Sequence, residues 1–238
     1  MEERLLAWFA EHGRDLPWRR TRDPYAILLS EVMLQQTQVA RVVPRYLAWL
    51  QRWPTVEALA VASPADVIKA WQGLGYNRRA VSLHRAARQI AAEGWPDDLT
   101  ALPGVGRYTA QAIRRFAFGE AVLPEDTNVR RVLERTGAEF GPESAHALMD
   151  LGATVCLARV PRCGECPLAG DCPSRGRRYE PLHKQSRFEG SFRQRRGRTL
   201  RLVAARPRAL RELDSVAVKS LAADGLVMIA GGRARLPD

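Results

Sequence analysis

The sequence has no apolar run approaching eighteen residues, so nothing in it is long enough to form a membrane-spanning helix. Its opening residues, MEERLLAWF, lack the plan of a secretory signal, and the expectation is a soluble, intracellular protein. There is no internal repeat. No sustained strand pattern of alternating apolar and polar residues appears before residue 174, which argues against a β-rich body there. Cysteine is scarce. The 238 residues hold four, Cys156, Cys163, Cys166 and Cys172, all within a 17-residue window, and none elsewhere to pair with.

A hydrophobic fraction of 46% is enough to bury a core, so the cysteines need not substitute for one. Their spacing is C-x6-C-x2-C-x5-C. A compact set of four thiols in a reducing compartment points to a metal or iron–sulfur site rather than a disulfide framework. From the spacing alone, four-cysteine zinc and an iron–sulfur cluster are both open.

Acidic residues are missing from one region. Residues 175–210 hold twelve Lys/Arg and only two acids, Glu180 and Glu189, so most of the chain's net charge of +11 lies there. A polyanion partner is the first reading of such a segment, and a solvated, partly flexible linker is the other.

Apolar residues recur at three- and four-residue spacing through EERLLAWFAEH, YAILLSEVMLQQT, VARVVPRYLAWLQRW, VEALAVA, PADVIKAWQGL, RRAVSLHRAARQIAAEG and YTAQAIRRFAF, with prolines marking the breaks. The spacing predicts a mainly α body of short helices over residues 1–173. Beyond it come a basic linker (175–192), a basic helix over 193–205, a second helix over 213–226 and a hairpin around Gly231-Gly232. Helices followed by a small hairpin predict a winged-helix-like module over 193–238.

LPGVGRYTAQAI places Gly104 and Gly106 in a tight turn directly before a helix. Glycines let a backbone approach a ligand, and free N–H groups at a helix start suit a phosphate oxygen. An ordinary turn between core helices is the plainer reading; the pattern is that of a helix-hairpin-helix, which grips a nucleic-acid backbone without reading sequence. Asp126, about twenty residues later in LPEDTNV, reads locally as a helix N-cap.

A helix-hairpin-helix, an aspartate about twenty residues on and then the four cysteines resemble the iron–sulfur branch of the helix-hairpin-helix DNA glycosylases, over residues 1 to about 173. LPWR (16–19), DPY (23–25), LSEVMLQQTQV (29–39) and GLGY (73–76) resemble its MutY-like adenine glycosylases. Tyr108 stands where the strand-cleaving lyases carry a lysine, so no Schiff-base nucleophile is evident and a monofunctional enzyme is expected.

The resemblance implies a two-lobed fold: a six-helix domain over 20–122, and a cluster domain from 1–19 plus 123–174. It implies a [4Fe–4S] cluster on the four cysteines, with Arg159 and Arg162 of the cluster loop reaching phosphates. It implies double-stranded DNA bearing a mismatch or oxidised guanine as partner, a monomeric state and cytoplasmic, nucleoid-associated work. Glu31, among Leu28, Leu29, Val32, Met33 and Leu34, is in surroundings that favour the protonated form. By resemblance it protonates adenine opposite 8-oxoguanine or guanine, and Asp126 stabilises the cationic sugar. Tyr108 lies beside the sugar, Trp18 and Arg19 line the base pocket, Asp150 sits near the flipped base, and Gln36 and Tyr76 enter the stack. For Trp18 and Tyr76 plain core packing is the alternative.

Two departures from the resemblance stand out. Only twenty-nine residues separate Asp126 from Cys156, where such proteins usually carry about one more helix. The roughly sixty residues after the cluster are too few for the Nudix-like domain common in that family. Two other activities stay in view: removal of T or U opposite G on the same scaffold, and lesion binding without catalysis.

Overall fold

The expected helices are present, and the local chemistry of the sequence starts and stops them. The computed structural model describes residues 1–180 and 187–238; Lys184 of the basic stretch and the middle of the expected linker lie outside the described residues. Eleven α-helices occur among the described residues: α1 (Glu2–His12), α2 (Pro24–Leu34), α3 (Val39–Arg52), α4 (Val56–Ala60), α5 (Pro64–Ala70), α6 (Arg78–Glu93), α7 (Arg107–Phe116), α8 (Thr127–Thr136), α9 (Ala145–Thr154), α10 (Phe192–Ala205) and α11 (Ser215–Ala223). Thr55, Ser63, Ser191 and Asp214 each cap a helix by accepting a hydrogen bond from an N–H of the first turn. Gly137 ends α8 in the left-handed conformation. None of the described helices is long and apolar enough to cross a membrane.

The chain divides into two units. The first joins residues 1–27 to the stretch from Gly106 through the cysteines. Its core is Leu5 of α1, Val129 and Val132 of α8, Leu148 and Leu151 of α9, and Leu168 beside the cysteines. Helices α8 and α9 approach unusually closely. A Cβ at Gly152 would lie 2.6 Å from the Cβ of Asn128 and 2.9 Å from its carbonyl oxygen, so only glycine fits there. That contact fixes the start of α8 against α9 within the short segment between Asp126 and Cys156.

The second unit joins residues 28–105 to the C-terminal module. Trp49 packs edge-on against Trp53 and Trp71, with ring centroids 4.7 and 5.5 Å away. The module is helix, strand, helix, hairpin. Strands β1 (Arg208–Ala209), β2 (Met228–Ala230) and β3 (Arg233–Arg235) form an antiparallel sheet in the order β1-β3-β2. This is a winged-helix-like arrangement, with one strand, β1, that the sequence did not announce. Two residues are too few to carry an alternating pattern. The module shares its core with the helices upstream: Ile68 of α5 packs among Leu200, Val203, Val218, Leu221 and Val227.

Candidate active site and cysteine cluster

Helix α2 is buried continuously from Tyr25 to Met33, so Glu31 is a carboxyl in an apolar run with only 7% of its surface exposed. A surface or capping carboxylate would not be placed in this way. Burial of this degree makes the protonation state of a carboxyl depend on its immediate partners.

The hairpin turn packs closely against the chain's own helix α6. Gly104 has φ +84°, and a Cβ there would fall 2.8 Å from the Cβ of Ser82 on α6. Gly106 is the N-cap of α7 and no side chain caps the first turn. The leading N–H groups of α7 are therefore not claimed by a capping side chain. Tyr108 is half-buried in that first turn.

Asp126 is the N-cap of α8, as its local sequence suggested. One carboxylate oxygen accepts the backbone N–H groups of Asn128 (2.8 Å) and Val129 (2.7 Å); the other accepts the Asn128 side-chain amide (2.8 Å). The helix start suits its negative charge. Asn128 is held in turn by Arg131, whose guanidinium donates to the Asn128 side-chain oxygen (2.7 Å) and to the carbonyls of Gly152 (2.6 Å) and Cys156 (2.8 Å). A chain of hydrogen bonds thus runs from Asp126 to the first cysteine. Burial lowers the Arg131 pKa, with nearby Cys156 and Asp126 acting the other way.

Asp150 is buried and fully engaged. It accepts from Arg14 through the backbone N–H (2.8 Å), Nε (2.8 Å) and Nη2 (2.6 Å), and from both terminal nitrogens of Arg19 (2.9 and 2.7 Å). Burial works to raise its pKa, but the hydrogen bonds from Arg19 and Arg14 outweigh that and leave it below the usual carboxylate range. Arg19 also donates to the Arg14 carbonyl (2.8 Å) and lies over the Phe9 ring. Trp18, beside it in a short 3-10 turn, is buried. Two residues expected at the base pocket, Arg19 and Asp150, are therefore each other's partners. Arg14, the third member, has no motif to mark it. His146, one turn before Asp150 on α9, stacks on Phe116 at 4.2 Å. Burial, then the Arg19 charge, lowers its pKa to about 4, so it is neutral near pH 7.

The four cysteines line one partly open cavity with Val132, Thr136, Leu151 and the side chains of Arg135, Arg162 and Arg175, and no imidazole or carboxylate joins them there. Burial, and then the neighbouring cysteines, raise the Cys166 thiol pKa, although a backbone N–H works against them. Among the described residues no three His, Cys, Asp or Glu side chains gather into a metal-ion site. Donors point at the sulfurs: Arg135 reaches Cys156 Sγ at 3.5 Å, and the Gly176 N–H reaches Cys163 Sγ at 3.3 Å. Arg135 is buried, ties the carbonyls of Leu157 (2.8 Å) and Ala158 (2.7 Å), and lies 3.8 Å from the Tyr179 ring centroid. Arg159 and Arg162 are exposed on this loop, with Arg162 3.8 Å from Glu165. Soft thiols with cationic and N–H neighbours suit an anionic metal–thiolate centre.

In the second unit, Gln36 and Tyr76 are both exposed and both have positive φ, +54° and +44°. They are the two non-glycine residues in that conformation among the described residues, which is uncommon for residues with side chains of this size.

Residues 29–152 match the model of the HhH-GPD superfamily base excision DNA repair proteins. The adenine DNA glycosylase of Mycobacterium tuberculosis (strain CDC 1551 / Oshkosh) is 44% identical, with 98% of this chain and 92% of that protein covered. The chain belongs to this family. Its place is among the adenine DNA glycosylases of the superfamily, and it is related to base-excision repair glycosylases over nearly its whole length. That alignment runs to 284 positions, more than the 238 residues here, so the mycobacterial relative carries residues this chain lacks. The human adenine DNA glycosylase is 42% identical over 79% of this chain but only 42% of its own length. A solved thermostable thymine-DNA glycosylase matches 72% of this chain and 93% of its own, with TM-score 0.64 and 27% identity.

Proposed function

We propose that the chain is a monofunctional glycosylase that hydrolyses the N-glycosidic bond of adenine mispaired with 8-oxoguanine or guanine in double-stranded DNA. The observation that carries this reading is the 44% identity to an adenine DNA glycosylase along nearly the full length of both chains. Breaking the bond requires a neutralised leaving base and a stabilised sugar cation. Glu31, buried in an apolar helix, is suited to hold a proton for the adenine ring; Asp126, with only N–H donors on its oxygens, is suited to face positive charge on the sugar. Tyr108 stands beside the sugar in this reading and supplies no amine for strand cleavage.

The adenine leaves the stack to be reached. Gln36 and Tyr76 fill and wedge the stack, while Trp18 and Arg19 form the wall of the base pocket, with Asp150 holding Arg19. The backbone at Gly104 and Gly106, and Arg159 and Arg162 of the cysteine loop, take phosphates. Cys156, Cys163, Cys166 and Cys172 hold a [4Fe–4S] cluster. Such a cluster would fix the shape of its loop and supply no redox step to base removal, while the positive potential there comes from Arg159 and Arg162. The protein acts as a monomer.

Duplexes carrying A:8-oxoG, A:G, T:G and U:G test the reading under single turnover. Adenine release from the first two is expected, with strand breaks appearing only after alkali. Glu31→Gln is expected to slow release by at least ~10²-fold. Thymine or uracil release with intact adenine would install the mismatch activity instead, to which the thymine-DNA glycosylase likeness lends its weight. Tight binding with no base released from any duplex would leave a lesion-binding module.

A further inference from the structure

We propose that Arg79 is the positioning residue that presets the turns of Gln36 and Tyr76 for entry into the DNA stack. This rests on the functional reading above, which gives those two side chains that task.

One guanidinium ties together two separate stretches of chain, 32–37 and 74–76. Arg79 Nη1 donates to the carbonyls of Val32 (2.7 Å), Met33 (3.0 Å) and Gln35 (2.7 Å), which close the C-terminal end of α2. Its Nη2 donates to Thr37 Oγ1 (3.0 Å) and to the carbonyls of Leu74 (3.2 Å) and Gly75 (3.0 Å), and Nε reaches the Tyr76 carbonyl at 3.4 Å. The acceptors bracket Gln36 on both sides, and on the other turn they include Tyr76 itself and the two residues before it. Thr37 Oγ1 also donates within reach of the Gln35 and Leu74 carbonyls, both 3.3 Å away, so the two turns are linked directly as well. The guanidinium carbon lies 5.2 Å from the Trp71 ring and 5.7 Å from the Tyr76 ring. Trp71 is fully buried, and its Nε1 donates to the Gly75 carbonyl at 3.2 Å.

The chemistry explains why arginine stands here. A planar fork with five N–H donors can bridge carbonyls from several directions while stacking on an aromatic face, and a lysine ammonium cannot do both. A cation also suits the carbonyl end of α2. Left-handed φ at glutamine and tyrosine is unfavourable in isolation, so both turns need outside contacts to hold them. Turns held before DNA arrives spare the complex the ordering that flexible loops would require on binding. Burial lowers the Arg79 pKa to about 10, which leaves it charged at neutral pH.

The test compares Arg79→Lys, which keeps the charge, with the intact full-length chain. Two readouts are used: affinity for an A:8-oxoG duplex relative to a matched duplex, and fluorescence of 2-aminopurine placed as the target base. Arg79→Lys is expected to lose preference for the mispaired duplex by ~10–100-fold and to lose the unstacking signal, with matched-duplex binding close to wild type and a folded circular-dichroism spectrum at the assay temperature. In a Gln36→Ala/Tyr76→Ala background the same substitution is expected to change preference less than twofold, because its targets are gone. Full preference in Arg79→Lys would overturn the proposal, as would an undiminished loss in the double-alanine background. A wild-type chain without preference for mispaired duplexes would instead overturn the functional reading beneath it.

Discussion

Two aspartates of the first unit are held in opposite ways. Asp150 is buried and spends its charge on two guanidiniums. Asp126 is half-buried and accepts three N–H groups, two from the backbone and one from an amide. The first arrangement fixes the start of the chain, where Arg14 and Arg19 lie, against α9. The second fixes the carboxylate's direction without cancelling its charge. A residue that must steady a passing cation needs the second arrangement, and a residue that must hold structure needs the first.

The comparison breaks first at Asp126. Asn also caps helices, so Asp126→Asn is expected to keep the fold within ~1 kcal/mol while base release falls by ~10³-fold or more. Single-turnover kinetics beside thermal melts would measure both, and retained full activity would sink the mechanism. At Asp150 the balance reverses. Asp150→Asn leaves two arginines without their counter-charge in a largely buried place, and a loss of about 3 kcal/mol is expected in urea unfolding. Arg14 keeps 30% of its side chain exposed and Arg19 11%, so water replaces part of what is lost and the cost falls toward the low end of such pairs. A stability unchanged by that substitution would mean the two aspartates do not differ in the way their partners suggest.

What the sequence made legible was whatever it writes locally. Helical spacing, capping residues, the glycines of the hairpin and the cysteine spacing all depend on residues a few positions apart, and α10, α11 and the Gly231-Gly232 turn followed from the same signals. The arginines did not. Arg79 finds carbonyls more than forty residues away, Arg131 reaches Cys156 and Arg14 reaches Asp150; the partners are mostly backbone carbonyls or a distant acid, which no motif marks. Asp126 shows the limit from the other side: its local signal as a helix cap and its expected role in chemistry are two uses of one carboxylate. The C-terminal module shows a third case. Charge suggested a polyanion-binding tail, yet Ile68 shares its core, so removing the tail also uncovers apolar surface on α5. Truncation there would mix a folding defect with any loss of DNA affinity, and charge-reversing changes on α10 separate the two better.

The smallest effect sharpens the comparison through pH. His146 lies in the same group as Asp150, stacked on Phe116 and near Arg19 and Arg115. Burial first, and then the Arg19 charge, lowers its pKa to about 4, while Asp150 pulls the other way. In the unfolded chain an ordinary histidine titrates near 6.5, so between these values the unfolded state binds the extra proton. Stability from the neutral ring is complete above about pH 6.5 and is lost progressively as the pH falls toward 4. Between pH 7.5 and 5.5 the loss is expected to be about 1–2 kcal/mol. Unfolding curves for wild type and His146→Gln at several pH values isolate it, because acid effects elsewhere, including any at the cysteines, are common to both chains. The variant is expected to show the flatter profile in that window. Equal slopes would mean that His146 accepts a proton in the folded chain as easily as in the unfolded one, and that Asp150 has charge to spare for it after meeting two arginines.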